Sequence, residues 1–249
     1  MRPISFSWTV LGAILVANLL YAQQLPDLVV TDAKFRPDPE LGKTFTAYVT
    51  VMNKGKALSK VCRLDVKANG TFSNLVGQVG DQYTSVPALP VGATITLPIS
   101  GLIVSNVINF ATNTTRTFSA FVDSKGAVSE LNKSNNIYKT TYVPIGPDLI
   151  VSRVVLPSAP RVGHQYMFQV YVKNIGTRMS QQYSLIGSLG GPFFTVAISP
   201  GLPPGMETFY LVRAQAISAG LAPTFWQVNS AWEVNYGNNF LVYTCTILN

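Results

Sequence analysis

The residues of this chain that could do chemistry are few, and the densest group surrounds one short polar stretch. Asp123, Glu130, Asn132 and Asn135 carry side-chain oxygens close together in the sequence. Calcium takes six to eight oxygen ligands, so Asp123 and Glu130 are calcium candidates. The alternative is structural, because Asn and Glu side chains also accept hydrogen bonds from turn amides. The spacing matches no known calcium loop, so we favour the turn interpretation, with no bound metal or other cofactor.

Catalysis is poorly supported by the residue types present. The single histidine, His164, has no partner that the sequence assigns to it, although hydrolytic triads and His-based metal sites need one. Two carboxylates could serve a glycosidase, but the 11 acidic residues are thinly spread. No Gly-rich loop stands between a strand and a helix. The sequence therefore predicts a protein that is not an enzyme.

The charge and the amino terminus bear on location and partners. The net charge of +7 is scattered along the chain rather than clustered, which predicts no nucleic-acid partner. Arg2, the apolar run 10–17 and the small residue Ala22 are typical of a signal peptide over residues 1–22. An uncleaved N-terminal anchor is the alternative. No later stretch has the roughly 18 apolar residues of a spanning helix, so we expect a mature chain without a membrane span, in the extracellular space, at the cell surface or in the periplasm.

Only two cysteines are present, which excludes a disulfide-built scaffold. Cys62 alternates with Arg63, Asp65 and Lys67, so its side chain is predicted to face a core and theirs to face away from it. Cys245 lies on an apolar face near the carboxyl terminus. We expect two free, buried thiols in two different cores.

An internal repeat organises the chain after residue 22. Residues 26–55 align with residues 147–176 without a gap, and ten of the thirty positions are identical. Further on, Leu-Pro-x-Gly occurs at 89–92 and again at 202–205. The repeat predicts a duplicated domain, with one copy over residues 23–145 and the other over residues 146–249.

Each copy ends in the same polar motif, Glu-x-Asn-x-x-Asn-Asn, between two apolar runs. Its residues are Glu130, Asn132, Asn135 and Asn136 in the first copy, and Glu233, Asn235, Asn238 and Asn239 in the second. Asn tolerates left-handed backbone and bonds to its own main chain, which suits a tight turn between two strands. The motif therefore predicts a hairpin near the end of each domain, with structural Glu and Asn residues.

The apolar residues alternate with polar ones, as at 44–51 and 165–172. A period of two indicates strands packed on one side, and about seven short strands fit into each copy. The predicted fold is therefore all-β, with two tandem immunoglobulin-like or fibronectin-III-like β-sandwiches after a signal peptide.

Four motifs in the same order, twice, carry a resemblance to a known family. They are Pro-Asp-Leu-Val/Ile-Val, Val-x-Asn-x-Gly, Leu-Pro-x-Gly and the Glu-Asn motif. Together they resemble the CARDB domain (cell-adhesion-related domain found in bacteria) in two tandem copies. The resemblance implies an immunoglobulin-like fold and a secreted or surface protein of bacteria or archaea, without implying an activity.

Exposed aromatic residues are the candidates for ligand contact. Residues 177–232 hold many aromatic residues and only three charges, and Trp232 lies in a predicted hairpin tip, whereas Trp226 is predicted to face the core. Trp232, Phe193 and Phe194 are therefore candidate ligand-binding residues. The alternative is that these rings pack against neighbouring loops.

The function expected from these features is a secreted or cell-surface, non-catalytic module for adhesion, structure or binding. A carbohydrate-binding accessory protein and a subunit of an extracellular assembly are the alternatives. Its partner would be a cell-surface protein, a polysaccharide or a second copy of the chain. Asn69, Asn113 and Asn132 begin glycosylation sequons, whose use depends on the host.

Overall fold

The computed structural model describes residues 24–73, 76–104, 115–156, 160–189, 193–198 and 200–249. These residues form fourteen β-strands and no helix, so the chain is all-β, as predicted. No helix within them is long and apolar enough to span a membrane. The predicted signal peptide, residues 1–22, and the sequon residue Asn113 lie outside the described residues.

The chain divides into two compact units. Among the described residues, unit 1 comprises 24–37, Thr44–Ile103 and Arg116–Tyr142, and unit 2 comprises Asp38–Lys43, Val104, Thr115 and Val143–Asn249. The short segment Asp38–Lys43 thus belongs to unit 2, where it forms a parallel bridge between Glu40 and Ile145. That residues 23–145 and 146–249 each fold alone stays a prediction.

Unit 1 contains seven strands in two antiparallel sheets. They are β1 (Leu28–Arg36), β2 (Thr44–Asn53), β3 (Cys62–Lys67), β4 (Gln82–Val86), β5 (Thr94–Ile103), β6 (Arg116–Val122) and β7 (Ile137–Tyr142). One sheet has the order β1-β2-β5 and the other the order β4-β3-β6-β7. Alternate residues of β2, among them Phe45 and Val49, are buried, which follows from the period-two pattern.

Unit 2 repeats this topology. Its strands are β8 (Leu149–Val155), β9 (Gln165–Asn174), β10 (Tyr183–Leu189), β11 (Phe194–Ile198), β12 (Glu207–Gln215), β13 (Gly220–Ser230) and β14 (Phe240–Ile247). The sheets have the orders β12-β9-β8 and β11-β10-β13-β14. Trp226 is fully buried in this core, 5.5 Å from the ring of Phe168, which confirms that it faces the core.

The hairpins predicted around the Glu-Asn motifs are present, but their connections are longer than tight turns. Strands β6 and β7 pair antiparallel, as do β13 and β14. The connecting segments, 123–136 and 231–239, contain the motifs at their carboxyl-terminal ends. The motifs therefore belong to looped connections that reach across the end of each unit.

The cysteine predictions are confirmed, and a polar residue of strand β3, Asp65, is buried too. Cys62 and Cys245 are both buried and free, and Cys245 lies in the unit 2 core. Asp65 lies on the opposite face of β3 from Cys62, as the alternation predicted, yet it is fully buried. The reason is a bidentate contact from Arg63, with Nε and Nη2 each 2.7 Å from a carboxylate oxygen, and a hydrogen bond from the Ser124 hydroxyl.

Candidate functional site

The Glu130 side chain joins the end of unit 1 to its first strand. Its Oε2 accepts a hydrogen bond from the Leu28 backbone amide at 2.8 Å, and its Oε1 accepts one from Asn136 Nδ2 at 2.8 Å. Asn136 also donates to the carbonyl of Val122, at 3.2 Å. The motif therefore ties strand β1, the end of β6 and the start of β7 together.

Two further side chains extend this network in unit 1. Asn135 donates from Nδ2 to the carboxylate of Asp27 at 2.9 Å. Asn53, which is fully buried, accepts hydrogen bonds at Oδ1 from the amides of Asp27 and Gly55. Its Nδ2 donates to the carbonyl of Leu89 at 2.8 Å, and to another loop carbonyl. Buried backbone groups of three separate loops are satisfied in this way.

Unit 2 builds the same network from the second copy of the motif. Asn239 donates to the Glu233 carboxylate and, at 3.0 Å, to the carbonyl of Val228, while Asn238 donates to Asp148 at 3.1 Å. Asn174 corresponds to Asn53, because its Oδ1 likewise accepts hydrogen bonds from two backbone amides, those of Asp148 and Gly176. The remaining motif residues, Asn132 and Asn235, accept hydrogen bonds from backbone amides two residues later. All eight motif residues thus make structural hydrogen bonds.

Burial perturbs the ionisation of both motif glutamates. Desolvation raises the pKa of Glu130 to about 7, and the neighbouring Asp123 carboxylate adds to the rise. Desolvation raises the pKa of Glu233 to about 8, although hydrogen bonds from Asn239 and the Leu149 amide oppose it. Perturbed carboxyls are typical of active sites, but structural networks produce them too, and here each glutamate is occupied by such a network.

The calcium candidates Asp123 and Glu130 use their oxygens inside the protein. Asp123 is buried with a φ of 53°, and its carboxylate accepts hydrogen bonds from the amides of Ala127 and Val128. The ammonium group of Lys133 lies 3.2 Å from Oδ2. The described residues contain no group of three His, Cys, Asp or Glu side chains that could hold a metal ion. The geometry of Asp123 is that of a turn acceptor.

A second buried carboxylate escaped the sequence analysis. Burial opposes the ionisation of Asp65, but hydrogen bonds from Arg63, Ser124 and the Gly80 amide outweigh it, so the pKa of Asp65 is lowered. Arg63 in turn lies over the ring of Tyr83, 3.6 Å from its centroid. The cluster makes contacts across β3, β4 and the loop after β6. The Arg63-Asp65 spacing of two, which places both on one strand face, was the signal available for it.

Trp232 adopts a backbone conformation that bulky residues rarely adopt. It lies four residues after Val228, as Gly126 lies four residues after Val122, and the two residues have φ angles of 62° and 69°. Glycine adopts this left-handed region freely, whereas other residues are strained there by about 1 kcal/mol. Unit 2 therefore holds a tryptophan where unit 1 holds an unstrained glycine. Strain of this kind is a motive for a functional hypothesis.

The indole of Trp232 forms part of the wall of an open cavity in unit 2, and 36% of the residue is exposed. A Cβ atom added at Gly42 would lie 3.1 Å from the ring atom Cε3, so the indole covers this glycine closely. The cavity has a volume of about 260 Å³. Its lining residues are Glu40, Leu41, Gly42, Lys43, Gly146, Pro147, Arg178, Met179, Gln181 and Trp232.

Charged groups lie beside the indole in this cavity. Nε of Arg178 is 3.2 Å from a carboxylate oxygen of Glu40, and Nζ of Lys43 is 3.9 Å from the other oxygen. Both ion pairs are partly exposed and therefore weak contributors to stability. The cavity thus offers one aromatic face together with donors and acceptors for polar groups of a ligand. The sequence predicted Trp232 as a ligand-binding residue but not Glu40 or Arg178, which are far apart in the chain.

Phe193, another predicted ligand residue, does not line this cavity. Phe193 is 67% exposed, and its ring meets that of Phe225 edge-on at 5.7 Å. Phe194 begins strand β11, but its side chain lies outside the described part of the structure. His164 is exposed, and its Nδ1 lies 3.1 Å from the carbonyl oxygen of Val162. Of the predicted aromatic residues whose side chains are described, Phe193 and Trp232, it is Trp232 that lines the cavity.

Comparison with known proteins gives one family. Residues 25–140 match the CARDB family model. This match confirms the predicted resemblance for unit 1, and the CARDB family is consistent with a non-catalytic, adhesion-related module. It does not confirm a second CARDB copy in residues 146–249. Among curated proteins, the comparison found no match to this chain.

Three solved structures resemble the chain at low identity. A crystal structure of a CARDB domain from Pyrococcus furiosus in complex with di-metal ions is 20% identical, with a TM-score of 0.36; it covers 41% of this chain and 94% of its own. The solution NMR structure of that domain is also 20% identical, with a TM-score of 0.36. It covers 42% of this chain and 97% of its own. Red sea bream transglutaminase is 13% identical with a TM-score of 0.40, and the match covers 88% of this chain but only 32% of the enzyme.

Proposed function

We propose that this chain is a non-catalytic binding module that acts in adhesion outside the cell or at its surface. The CARDB match over residues 25–140 supports an adhesion-related role. The observation that carries the proposal is Trp232, a partly exposed residue held in left-handed backbone at the wall of a cavity. A strained aromatic residue at a cavity is expected where contact with a ligand offsets the cost of the strain.

The proposal includes a second CARDB-like domain in residues 146–249. Its support is the repeated strand order and the repeated polar network, in which Asn53 corresponds to Asn174 and Glu130 to Glu233. A duplication that retains the scaffold frees one copy to acquire a site. We place the binding site in unit 2, which has Trp232 where unit 1 has Gly126.

Carbohydrate is the ligand class that the cavity favours. A sugar ring presents an apolar C–H face that packs on an indole, and its hydroxyls need both donors and acceptors. Trp232 supplies the indole, Arg178 and Gln181 supply donors, and Glu40 supplies an acceptor. The volume of about 260 Å³ lies just below the range of drug-sized pockets, which suits one ring rather than a long chain.

The Trp232→Gly variant separates binding from stability. Loss of the indole should weaken glycan binding by about tenfold or more, as expected for an aromatic hot spot. The melting temperature should change little, because the relief of about 1 kcal/mol of backbone strain offsets the packing that the partly exposed ring makes over Gly42. A glycan array with the unmodified chain identifies the sugar, and isothermal titration with that sugar measures both proteins.

Phe193→Ala is the matched control, because it removes an exposed aromatic ring that does not line the cavity. It should leave glycan binding unchanged. A large drop in the melting temperature of Trp232→Gly would instead identify Trp232 as a packing residue. If no glycan on the array binds, the carbohydrate proposal is wrong. The result would then favour a protein as the partner of the module.

Export of the chain is a separate expectation that the location requires. If residues 1–22 are a signal peptide, the protein collected from the culture medium or cell surface should begin at Gln23. N-terminal sequencing and intact mass of that protein measure the cleavage site. An intact Met1 in the exported form would show that the apolar run 10–17 acts as an anchor.

A further inference from the structure

Strand β12 is an open edge of unit 2. Among the described residues it pairs with β9 only, over nine residues from Glu207 to Gln215. An edge strand presents unpaired backbone donors and acceptors, and proteins normally blunt such an edge with proline, charge or a covering loop.

The hydrogen-bonding pattern between β9 and β12 shows which backbone groups of β12 point toward the open edge. The amide of Asn174 on β9 donates to the carbonyl of Met206, just before β12. In an antiparallel ladder the direction alternates along the strand, so Tyr210 bonds toward β9 opposite Val170. The backbone groups of Phe209, Leu211 and Arg213 consequently point away from β9, toward the open edge.

Unit 1 protects the equivalent position with a proline. Strand β5 pairs with β2 as β12 pairs with β9, and Pro98 lies opposite Tyr48 where Leu211 lies opposite Gln169. Proline has no amide hydrogen, so Pro98 removes a donor from the middle of the β5 edge. Leu211 restores that donor and is 58% exposed. Unit 2 therefore lacks the proline that interrupts this edge in unit 1.

The outer faces of the two sheets differ in the same direction. In unit 1, Thr50 and Thr96 face outward and share a hydrogen bond of 2.9 Å between their hydroxyls. In unit 2 the corresponding pair is Tyr171 and Phe209, with ring centroids 5.5 Å apart, and Phe209 is 50% exposed. A polar threonine pair has thus become an aromatic one beside the open edge. Exposed apolar surface of this kind marks interaction sites.

We propose that unit 2 of one chain pairs with unit 2 of a second copy through antiparallel contact of their β12 edges, with the two-fold axis at Leu211. Residues directly opposite each other about this axis are Leu211 with itself and Phe209 with Arg213 of the second copy. All of these positions point their backbone groups outward, so each pair can exchange two hydrogen bonds. A symmetric edge-to-edge contact is closed and forms a dimer rather than a fibre.

A complementary cation and aromatic ring favour a second copy as the occupant of this edge. Glu207 is engaged by Ser152 and by Arg153 on its own sheet, which leaves Arg213 as the cation at the other end of β12. The pairing places the guanidinium of Arg213 beside the Phe209 ring of the other chain, where a cation–π contact is favourable. The same contact occurs twice by symmetry, so the edge is complementary to itself.

Leu211→Pro tests the pairing directly. Proline is compatible with the folded strand, because Pro98 occupies the same place in unit 1 and the lost amide points away from β9. Sedimentation velocity of the unmodified chain should show a monomer–dimer equilibrium that depends on concentration. The variant should raise the dimer dissociation constant by at least about tenfold, with an unchanged far-ultraviolet circular dichroism spectrum.

Two further variants keep the test decisive. Phe209→Thr combined with Arg213→Ser gives the residues found at Thr96 and Ser100 of unit 1, and should weaken the dimer similarly even if Leu211→Pro does not fold. Leu221→Thr removes an exposed leucine outside β12 and should leave association unchanged. A chain that stays monomeric at all concentrations, association that survives the β12 variants, or equal weakening by Leu221→Thr would overturn the proposal.

Discussion

Replacing Asn174 with Ala is expected to lower the free energy of unfolding of unit 2 by about 4 kcal/mol. Asn174 is fully buried and makes four hydrogen bonds. Its Oδ1 accepts from the amides of Asp148 and Gly176, and its Nδ2 donates to the carbonyls of Arg178 and Leu202, at 2.7–3.2 Å. Each buried group left without a partner costs roughly 1–3 kcal/mol, and water can reach some of them in the variant.

Urea unfolding followed by tryptophan fluorescence measures this loss in the correct unit. Trp226 and Trp232 both lie in unit 2, and Trp8 lies within the predicted signal peptide. Asn53→Ala breaks the equivalent network in unit 1 and should change this fluorescence transition little. Asn235→Ala, which removes one acceptor for the Gly237 amide, should cost about 1 kcal/mol or less. A loss below about 1 kcal/mol for Asn174→Ala would contradict the structural role assigned to the network.

The stability of unit 2 is expected to fall as the pH rises from about 5 to about 8. Glu233 is fully buried, and its pKa is raised from 4.5 to about 8 in the folded state. Above pH 4.5 the unfolded chain has lost this proton while the folded chain still holds it, so folding becomes less favourable with each pH unit. The slope is on the order of 1.4 kcal/mol per unit, and it disappears above the folded pKa.

Glu233→Gln should flatten this dependence and make the protein more stable than the unmodified chain at pH 9. The neighbouring Asp148, whose pKa burial also raises, keeps a smaller slope of the same sign in the variant. Urea unfolding by fluorescence at pH 5, 6.5, 8 and 9 measures both proteins. Glu130→Gln is the matched variant in unit 1. There burial raises the pKa of Glu130 to about 7, and the nearby Asp123 carboxylate, which is paired with Lys133, adds to the rise. Equal slopes for the unmodified chain and Glu233→Gln would show that Glu233 is ionised in the folded protein.

The proposed contact between unit 2 of two chains and the proposed site at Trp232 are independent of one another. Strand β12 and the connection after β13 are different elements of unit 2. Trp232→Gly should therefore leave the monomer–dimer equilibrium unchanged, and Leu211→Pro should leave glycan affinity per site unchanged. A dimer that presents two cavities would still gain avidity for a surface polymer, which is the advantage of self-association for an adhesion module.

The strands and the repeat were determined by the sequence alone. The alternation at residues 44–51 and 165–172 depends only on which side of a pleated strand each side chain faces, and the structure confirms both β2 and β9. The same local rule placed Cys62 and Trp226 in cores. The Glu-Asn motif predicted a connection between paired strands because its residue types favour turns wherever they occur.

The partners of those residues were decided by tertiary structure. Glu130 meets the amide of Leu28, and Asn174 meets the carbonyl of Leu202, across sequence separations that no periodicity spans. Asp65 obeys the alternation of β3, yet it is buried because Arg63 and the loop after β6 cover the face on which it lies. The polar cluster beside Trp232 likewise forms only once Glu40 and Arg178 have been brought together. Local sterics fix the strand pattern residue by residue, whereas these contacts depend on which loops converge after the sheets have packed.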